Sequence, residues 1–238
     1  MNHISELAQL GTSTWLDDLS RERLVSGNLE EIISTKSIVG VTTNPAIFAA
    51  AMTNGTAYDA ELSTLKEAKA SADEAVYALA IEDVKNACDL FADIYSSTNG
   101  ADGRVSIEVD PRISDDATAT LEQARELWSK VDRPNVMIKI PATTGSLPAI
   151  EDALAEGISV NVTLIFSVDR YRDVIEAFRT GLKRAAEAGK DVSTIHSVAS
   201  FFVSRLDTEV DKRLVAIGSE IALAPVSYTH LRAHETDS

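Results

Sequence analysis

The sequence has one cysteine, no long apolar run and no excess of basic residues. Its single cysteine, Cys88, has no partner for an internal disulfide, which fits a reducing cytoplasm. No apolar stretch approaches the length of a membrane span, and the first ten residues, MNHISELAQL, are polar and lack a signal-peptide core. The net charge of −15 argues against nucleic acid or an anionic membrane as a partner. These absences predict a soluble, cytoplasmic protein.

Apolar strand-like runs alternate with charged, helix-like segments along the 238 residues. Apolar residues make up 45% of the chain, which is typical of a packed globular protein. No low-complexity linker or change of composition divides the chain into domains. Strands separated by helices of this length predict βαβ units and a parallel sheet. The predicted strands are 12–16, 37–43, 104–109, 135–140, 158–166 and 194–200, and the predicted helices are 20–35, 57–95, 115–130, 147–156, 168–189 and 203–217, with Ser114 and Ser167 as N-caps of the third and fifth.

The faces of these strands distinguish between two α/β architectures. Each strand is apolar on one face and polar on the other near its C-terminal end; in 159–164, for example, Val160, Val162 and Leu164 are predicted on the apolar face. A doubly wound sheet has helices on both faces and should be apolar on both. A (β/α)8 TIM barrel has helices outside and a functional mouth where the strands end, which matches the pattern. We therefore predict such a barrel, of which about six of the eight strands are present.

Lys139 stands in the apolar run VMIKIPAT (136–143) and faces the polar side of the predicted barrel. A buried lysine is costly because its ammonium gives up hydration. One interpretation is a nucleophile: apolar surroundings destabilise the ammonium, so that neutral amine is available to attack a carbonyl and form a Schiff base. The other is a structural lysine that pairs with Glu108 or Asp110 across the barrel.

The last residues, PVSYTHLRAHETDS (225–238), show neither helical nor strand periodicity. We interpret them as a non-native tail and divide the chain into a partial barrel domain, residues 1–224, and this tail. His230 and His234 have the i, i+4 spacing of some zinc sites, but no Glu lies between them and no third ligand is evident. No metal site is expected there.

Five motifs occur together in one order along the chain, and each ends or follows a predicted strand. In this order and at these separations they resemble the successive strand motifs of the transaldolase family, most closely its actinobacterial and plant branch, over about residues 1–224. Any one of the motifs alone would be weak evidence. The motifs are GVTTNPAIF (40–48), VSIEVDPR (105–112), MIKIPAT (137–143), NVTLIFS (161–167) and SVASFFVSR (197–205).

The resemblance implies a class I aldolase type of barrel with four catalytic residues. Lys139 would form the Schiff base with the ketose donor. Asp17 would take the proton from the C4 hydroxyl during cleavage, although the neighbouring Asp18 is a competing choice and either could instead cap a helix. Glu108 would hand protons through a water during imine formation, and Thr163 would hold that water.

The resemblance also implies a set of substrate-binding residues and no metal or cofactor. Arg offers a planar fork of donors to an oxyanion, which suits the phosphate of a sugar phosphate. Ser200 would contact the phosphate together with Arg205, the two asparagines would bind substrate hydroxyls, and Thr42 would line the floor. The implied substrate-binding residues are Thr42, Asn44, Asn161, Ser200 and Arg205.

The expected function is transfer of a dihydroxyacetone unit from sedoheptulose 7-phosphate to glyceraldehyde 3-phosphate in the pentose phosphate pathway. One alternative is a Schiff-base aldolase that releases free dihydroxyacetone. Another is an inert fragment, because the family continues beyond residue 224 with two more strands, and an open barrel of six strands is expected to be marginally stable. Sugar phosphates are the expected partners, and a homo-oligomer is possible.

Overall fold

The computed structural model describes residues 3–43 and 56–218, and a six-stranded parallel sheet lies at its centre. Neighbouring strands in the sheet follow one another in chain order without a reversal. All the predicted strands are therefore present, with bounds shifted by a few residues. They are β1 (Thr14–Leu16), β2 (Ile38–Thr42), β3 (Arg104–Glu108), β4 (Val136–Pro141), β5 (Val160–Ile165) and β6 (Ser197–Phe201).

Helices connect the strands, and two of the predicted helical segments are interrupted. None of the helices in the described part of the chain has the length and apolar character that a membrane crossing needs. The helices are α1 (His3–Gln9), α2 (Arg21–Val25), α3 (Asn28–Lys36), α4 (Asp59–Glu67), α5 (Ala72–Leu90), α6 (Ala92–Ser97), α7 (Ala117–Val131), α8 (Leu147–Ala155), α9 (Val168–Glu187) and α10 (Ser204–Ile217), with short 3₁₀ turns at Pro111–Ile113 and Val192–Thr194.

The sheet curls around its inner face. Lys139 Nζ on β4 donates to the carbonyl oxygen of Thr43, just beyond β2, over 3.2 Å. Asn161 Nδ2 on β5 donates to Ser106 Oγ on β3 over 3.0 Å. Each contact skips one strand, so the inner face is concave. A doubly wound sheet would reverse its strand order, whereas this consecutive order with curvature is that of a (β/α)8 barrel. Within the described residues, β1 and β6 form the two edges.

The outer face of the sheet carries the hydrophobic core. Side chains such as Val105, Ile138 and Val162 lie between strands and helices and are fully buried. Burying a side chain of this size stabilises the fold by roughly 1.5–3 kcal/mol. The inner face is more polar towards the C-terminal strand ends, as the alternation of residues predicts.

One of the two predicted serine N-caps is wrong. Ser167 Oγ accepts a hydrogen bond from the Arg170 backbone N–H over 3.2 Å and caps α9, as predicted. The helix α7 is instead capped by Asp116, whose Oδ1 accepts from the Ala119 N–H over 3.0 Å. The 3₁₀ turn at Pro111–Ile113 delays the start of the helix, and Ser114 becomes the residue that ends this turn.

Candidate active site

A cavity of about 450 Å³ opens at the C-terminal end of the sheet. It joins residues that come from β1 through to the start of α10, because the curled sheet brings these strand ends together. Seven of the predicted site residues line it. Asn161 lies below it, and Asn44 falls outside the described residues. The lining residues are Asp17, Thr42, Thr43, Glu108, Lys139, Thr163, Leu164, Ser200, Phe202 and Arg205.

Lys139 is paired with Glu108 inside the cavity. The two residues are direct neighbours in the β3–β4 register, and Lys139 Nζ lies 3.0 Å from Glu108 Oε2. Their side chains are only 12% and 9% exposed, so little water solvates the two charges and each is compensated by the other. The Thr43 carbonyl takes a second of the three ammonium donors. The predicted pairing with Glu108 is therefore observed, whereas Asp110 forms an ion pair with Arg112 instead.

The two neighbouring aspartates at the end of β1 have different surroundings. Asp18 Oδ2 accepts from Arg23 Nε over 3.0 Å and is held in an ion pair with it. Asp17 lines the cavity, and in the described part of the chain its carboxylate forms no hydrogen bond or ion pair. Asp17 is thus the carboxylate available to a bound molecule.

Thr163 presents a buried hydroxyl that has no partner within residues 3–43 and 56–218. The residue is 1% exposed, and its Oγ1 makes no hydrogen bond with any described residue. A buried polar atom without a partner costs free energy, so such atoms mark sites for a water or a ligand. Thr163 lines the same cavity as Lys139 and Glu108, and a molecule bound there can satisfy the hydroxyl.

Asn161 belongs to a hydrogen-bonded chain across the barrel interior. Its Nδ2 donates to Ser106 Oγ over 3.0 Å, and its Oδ1 accepts from Ser200 Oγ over 2.9 Å. The side chain is almost fully buried. This chain fixes the orientation of the amide under the cavity and also holds Ser200, which lies in the lining.

Arg205 brings a positive charge to the side of the cavity that β6 and α10 form. It is the second residue of α10, and its guanidinium stacks over the Phe202 ring at 4.7 Å from the centroid. Cation–π contact with an aromatic face restrains the arginine. Its planar fork of donors then suits a phosphate or carboxylate group.

Three lining residues were missed by the sequence analysis. Thr43 acts through its backbone carbonyl, which a residue type does not reveal. Phe202 lies in one of the five motifs, but it follows the predicted strand 194–200, so strand alternation does not predict which way its ring faces. Leu164 was placed on the apolar outer face with Val160 and Val162, and this placement is wrong, because strict alternation is interrupted at that point in β5.

A larger cavity of about 610 Å³ lies between α5 and α7 on the outside of the barrel. It contains lysines and carboxylates but none of the groups around Lys139, and its surface charges face solvent. Among residues 3–43 and 56–218, no group of three or more His, Cys, Asp or Glu side chains is placed to hold a metal. His230 and His234, for which no metal site was expected, fall outside the described residues.

Comparison with known proteins places this cavity in a family. The model of the transaldolase/fructose-6-phosphate aldolase family matches residues 14–236. A transaldolase of Kocuria rhizophila is 60% identical over 219 residues, which is 92% of this chain and 60% of the relative. One of Mycolicibacterium smegmatis is 59% identical over 222 residues, or 93% and 60% of the two chains. The chain spans about 60% of the length of these curated relatives. It belongs to the transaldolase/fructose-6-phosphate aldolase family.

Proposed function

We propose that this chain carries the active site of a transaldolase. In this proposal a dihydroxyacetone unit moves from sedoheptulose 7-phosphate to glyceraldehyde 3-phosphate and yields erythrose 4-phosphate and fructose 6-phosphate. The observation that carries the proposal is the placement of Lys139 beside Glu108 in a cavity that also holds Asp17, Thr163 and Arg205. The setting is the pentose phosphate pathway of the cytoplasm, which suits a chain whose single cysteine, Cys88, is buried and unpaired.

Formation of the imine uses Lys139, Glu108 and Thr163. Glu108 takes a proton from the ammonium at 3.0 Å, and the free amine attacks C2 of the ketose. The carbinolamine then loses its hydroxyl as water after a proton is returned to that hydroxyl. In this proposal the Thr163 hydroxyl, which is buried and has no hydrogen-bond partner among the described residues, holds a water that relays this proton.

Cleavage uses Asp17 as the base. Its carboxylate takes the proton of the C4 hydroxyl, the C3–C4 bond breaks, and the electron pair moves to the iminium nitrogen to give an enamine. The aldehyde product leaves. The enamine carbon then attacks the aldehyde of the acceptor, and Asp17 returns its proton to the new hydroxyl. Water finally hydrolyses the iminium and frees Lys139. The Asp17 carboxylate has no hydrogen bond or ion pair in the part of the chain that the structure describes, which supports this role over Asp18, whose carboxylate is bound by Arg23.

The remaining residues bind and orient the substrate. Arg205 binds the phosphate, since its guanidinium is held over Phe202 on the rim. Ser200 and Thr42 line the cavity and offer hydroxyls to the sugar or its phosphate. Asn161 supports Ser200 from below and reaches substrate hydroxyls only if a bound molecule enters that deeply. Asn44 is also proposed to hydrogen-bond to substrate hydroxyls.

The test is reductive trapping. The chain is incubated with fructose 6-phosphate and borohydride, and the modified peptide is mapped by mass spectrometry. We expect a reduced dihydroxyacetone adduct on Lys139 and none in Lys139→Ala. Lys130→Ala removes an exposed lysine on α7 and should leave the adduct unchanged. Glu108→Gln should slow trapping by about 100-fold, which is the lower end for loss of a general acid–base group.

The Kocuria rhizophila relative is the positive control for the assay. Adduct on another lysine, with none on Lys139, would refute the mechanism. A second candidate is an aldolase that releases free dihydroxyacetone, because the description of the matching family model names both activities. Turnover of fructose 6-phosphate in the absence of any aldehyde acceptor would favour that candidate. An absolute requirement for the acceptor would favour the transferase.

A further inference from the structure

Leu164 has an unusual backbone conformation for its place in the fold. Its φ is +60°, in the left-handed region that large apolar residues rarely adopt. The other described non-glycine residues with positive φ are Ser37, Lys69, Asn99 and Asp132. Each of these lies at or just after the end of a helix, where a left-handed residue is common. Within the described residues, Leu164 is the one such residue inside a strand.

The conformation of Leu164 belongs to a β-bulge in β5. In the β5–β6 register, Val162 is opposite Ala199 and Ile165 is opposite Phe201. The chain therefore advances three residues on β5 and two on β6, so β5 holds one extra residue. Without the bulge, Leu164 would face the outer helices with Val162. With it, the Leu164 side chain lines the cavity next to Thr163.

This arrangement has two costs for folding. A leucine in the left-handed region is strained, and its side chain is 36% exposed although it could be buried in the core. A regular strand would avoid both costs. The bulge also leaves the Thr163 carbonyl bonded to the N–H of Ala142, the residue just after β4, over 2.8 Å, so the pairing of β5 with its neighbour on that side is kept. Strain confined to the wall of a catalytic cavity indicates a functional constraint.

We propose that Leu164 is a positioning residue that favours transfer over release in the reaction proposed above, on which this inference rests. Its left-handed bend fixes the strand at Thr163, so that the Thr163 hydroxyl points into the cavity. Its apolar side chain keeps water from the enamine on Lys139. If water enters, the enamine carbon takes a proton from it, a second water hydrolyses the iminium, and free dihydroxyacetone leaves instead of being transferred.

Two variants separate the bend from the side chain. Leu164→Gly keeps the bend without strain, since glycine adopts positive φ freely, but it removes the apolar wall. Leu164→Ile keeps the apolar volume, but its β-branch opposes the left-handed conformation. Leu90→Gly is the matched control, because Leu90 is a leucine of the same exposure, 37%, at the end of the regular helix α5.

Three quantities are measured for each variant: the urea midpoint, the rate of borohydride trapping at Lys139, and the ratio of free dihydroxyacetone to transfer product. We expect Leu164→Gly to keep the midpoint and the trapping rate of the parent and to raise the ratio at least tenfold. Leu164→Ile should lower the midpoint and slow trapping at least tenfold. Leu90→Gly should leave trapping and the ratio unchanged.

Two outcomes distinguish this proposal from the proposed function. If the parent chain gives no adduct on Lys139, the proposed function fails and this inference fails with it. If the parent gives the adduct but Leu164→Gly has the parent's product ratio, or Leu164→Ile has the parent's trapping rate, only the role of Leu164 is refuted.

Discussion

Replacing Asp83 by alanine should destabilise the protein strongly, because Asp83 is the centre of a buried ionic cluster that joins α2, α5 and Tyr58. Asp83 is 0% exposed on α5 and forms a hydrogen-bonded ion pair with Arg21, the first residue of α2. It also accepts from the Tyr58 hydroxyl over 2.7 Å. Burial raises the pKa of Asp83, and the Arg21 and Tyr58 donors oppose that rise because they stabilise the carboxylate.

The magnitude follows from what the substitution leaves behind. Removing one partner of a buried ion pair leaves an uncompensated charge and costs about 3–5 kcal/mol. Arg21 keeps a bond to the half-exposed Glu61 at 2.8 Å, so the lower end, about 3 kcal/mol, is expected. This is a large part of a typical stability of about 5–15 kcal/mol. Asp83→Asn keeps an acceptor and should cost less, about 1–3 kcal/mol.

The assay is urea unfolding of each variant followed by circular dichroism. Glu126→Ala is the control, since it removes the exposed pair with Lys130 on α7 and should cost about 0–1 kcal/mol. Arg21→Met/Asp83→Leu removes both buried charges and should cost less than Asp83→Ala alone. The reasoning is refuted if Asp83→Ala costs no more than Glu126→Ala, or if the double variant is the least stable of the set.

Two further predictions concern other titratable groups. Asp17→Ala should abolish carbon–carbon cleavage while the imine on Lys139 still forms and can be trapped. Asp18→Ala should mainly remove the ion pair with Arg23 and reduce turnover less than tenfold. The reverse pattern in a turnover and trapping assay would show that Asp18 is the base. Burial, followed by the nearby charge of Arg104, lowers the pKa of His196 below its ordinary value of 6.5. As the pH falls, His196 is therefore protonated in the unfolded chain before it is protonated in the folded chain. The stability that the neutral His196 contributes is lost as the pH falls below about 6.5. His196→Gln should therefore lose less stability between pH 7.5 and 5.5 than the parent in urea titrations, and an equal loss would contradict the assignment.

Much of the fold could be predicted from the sequence because it depends on local periodicity. Alternation in β3 and β4 placed Glu108 and Lys139 on one face, and the structure pairs them directly. A strand that follows the period of two keeps this information in the order of its residues. The same rule failed for Leu164, because a bulge in β5 interrupts the period of two. The position carries a leucine and not a glycine, so the sequence gives no clear signal of the bulge.

The details of the site depended on contacts that lie outside local periodicity. Sequence left Asp17 and Asp18 as alternatives, since both follow β1 and either could cap a helix. The choice depends on Arg23, five residues further on, which reaches back from α2 to bind Asp18. The N-cap at Ser114 failed for a related reason: a 3₁₀ turn of three residues delays the helix, and Asp116 takes the cap.

Asn161 and Thr163 are two buried polar residues of the barrel interior that differ in their hydrogen bonding. Asn161 uses both ends of its amide within the protein, so binding a substrate hydroxyl there requires it to exchange one of those bonds. Thr163 makes no such bond among the described residues, and any molecule that reaches it gains a hydrogen bond and relieves the cost of the buried hydroxyl. A bound ketose substrate is therefore expected to hydrogen-bond to Thr163 in preference to Asn161. The Asn161 amide is preorganised by its own hydrogen bonds, whereas the Thr163 hydroxyl is left to a bound molecule.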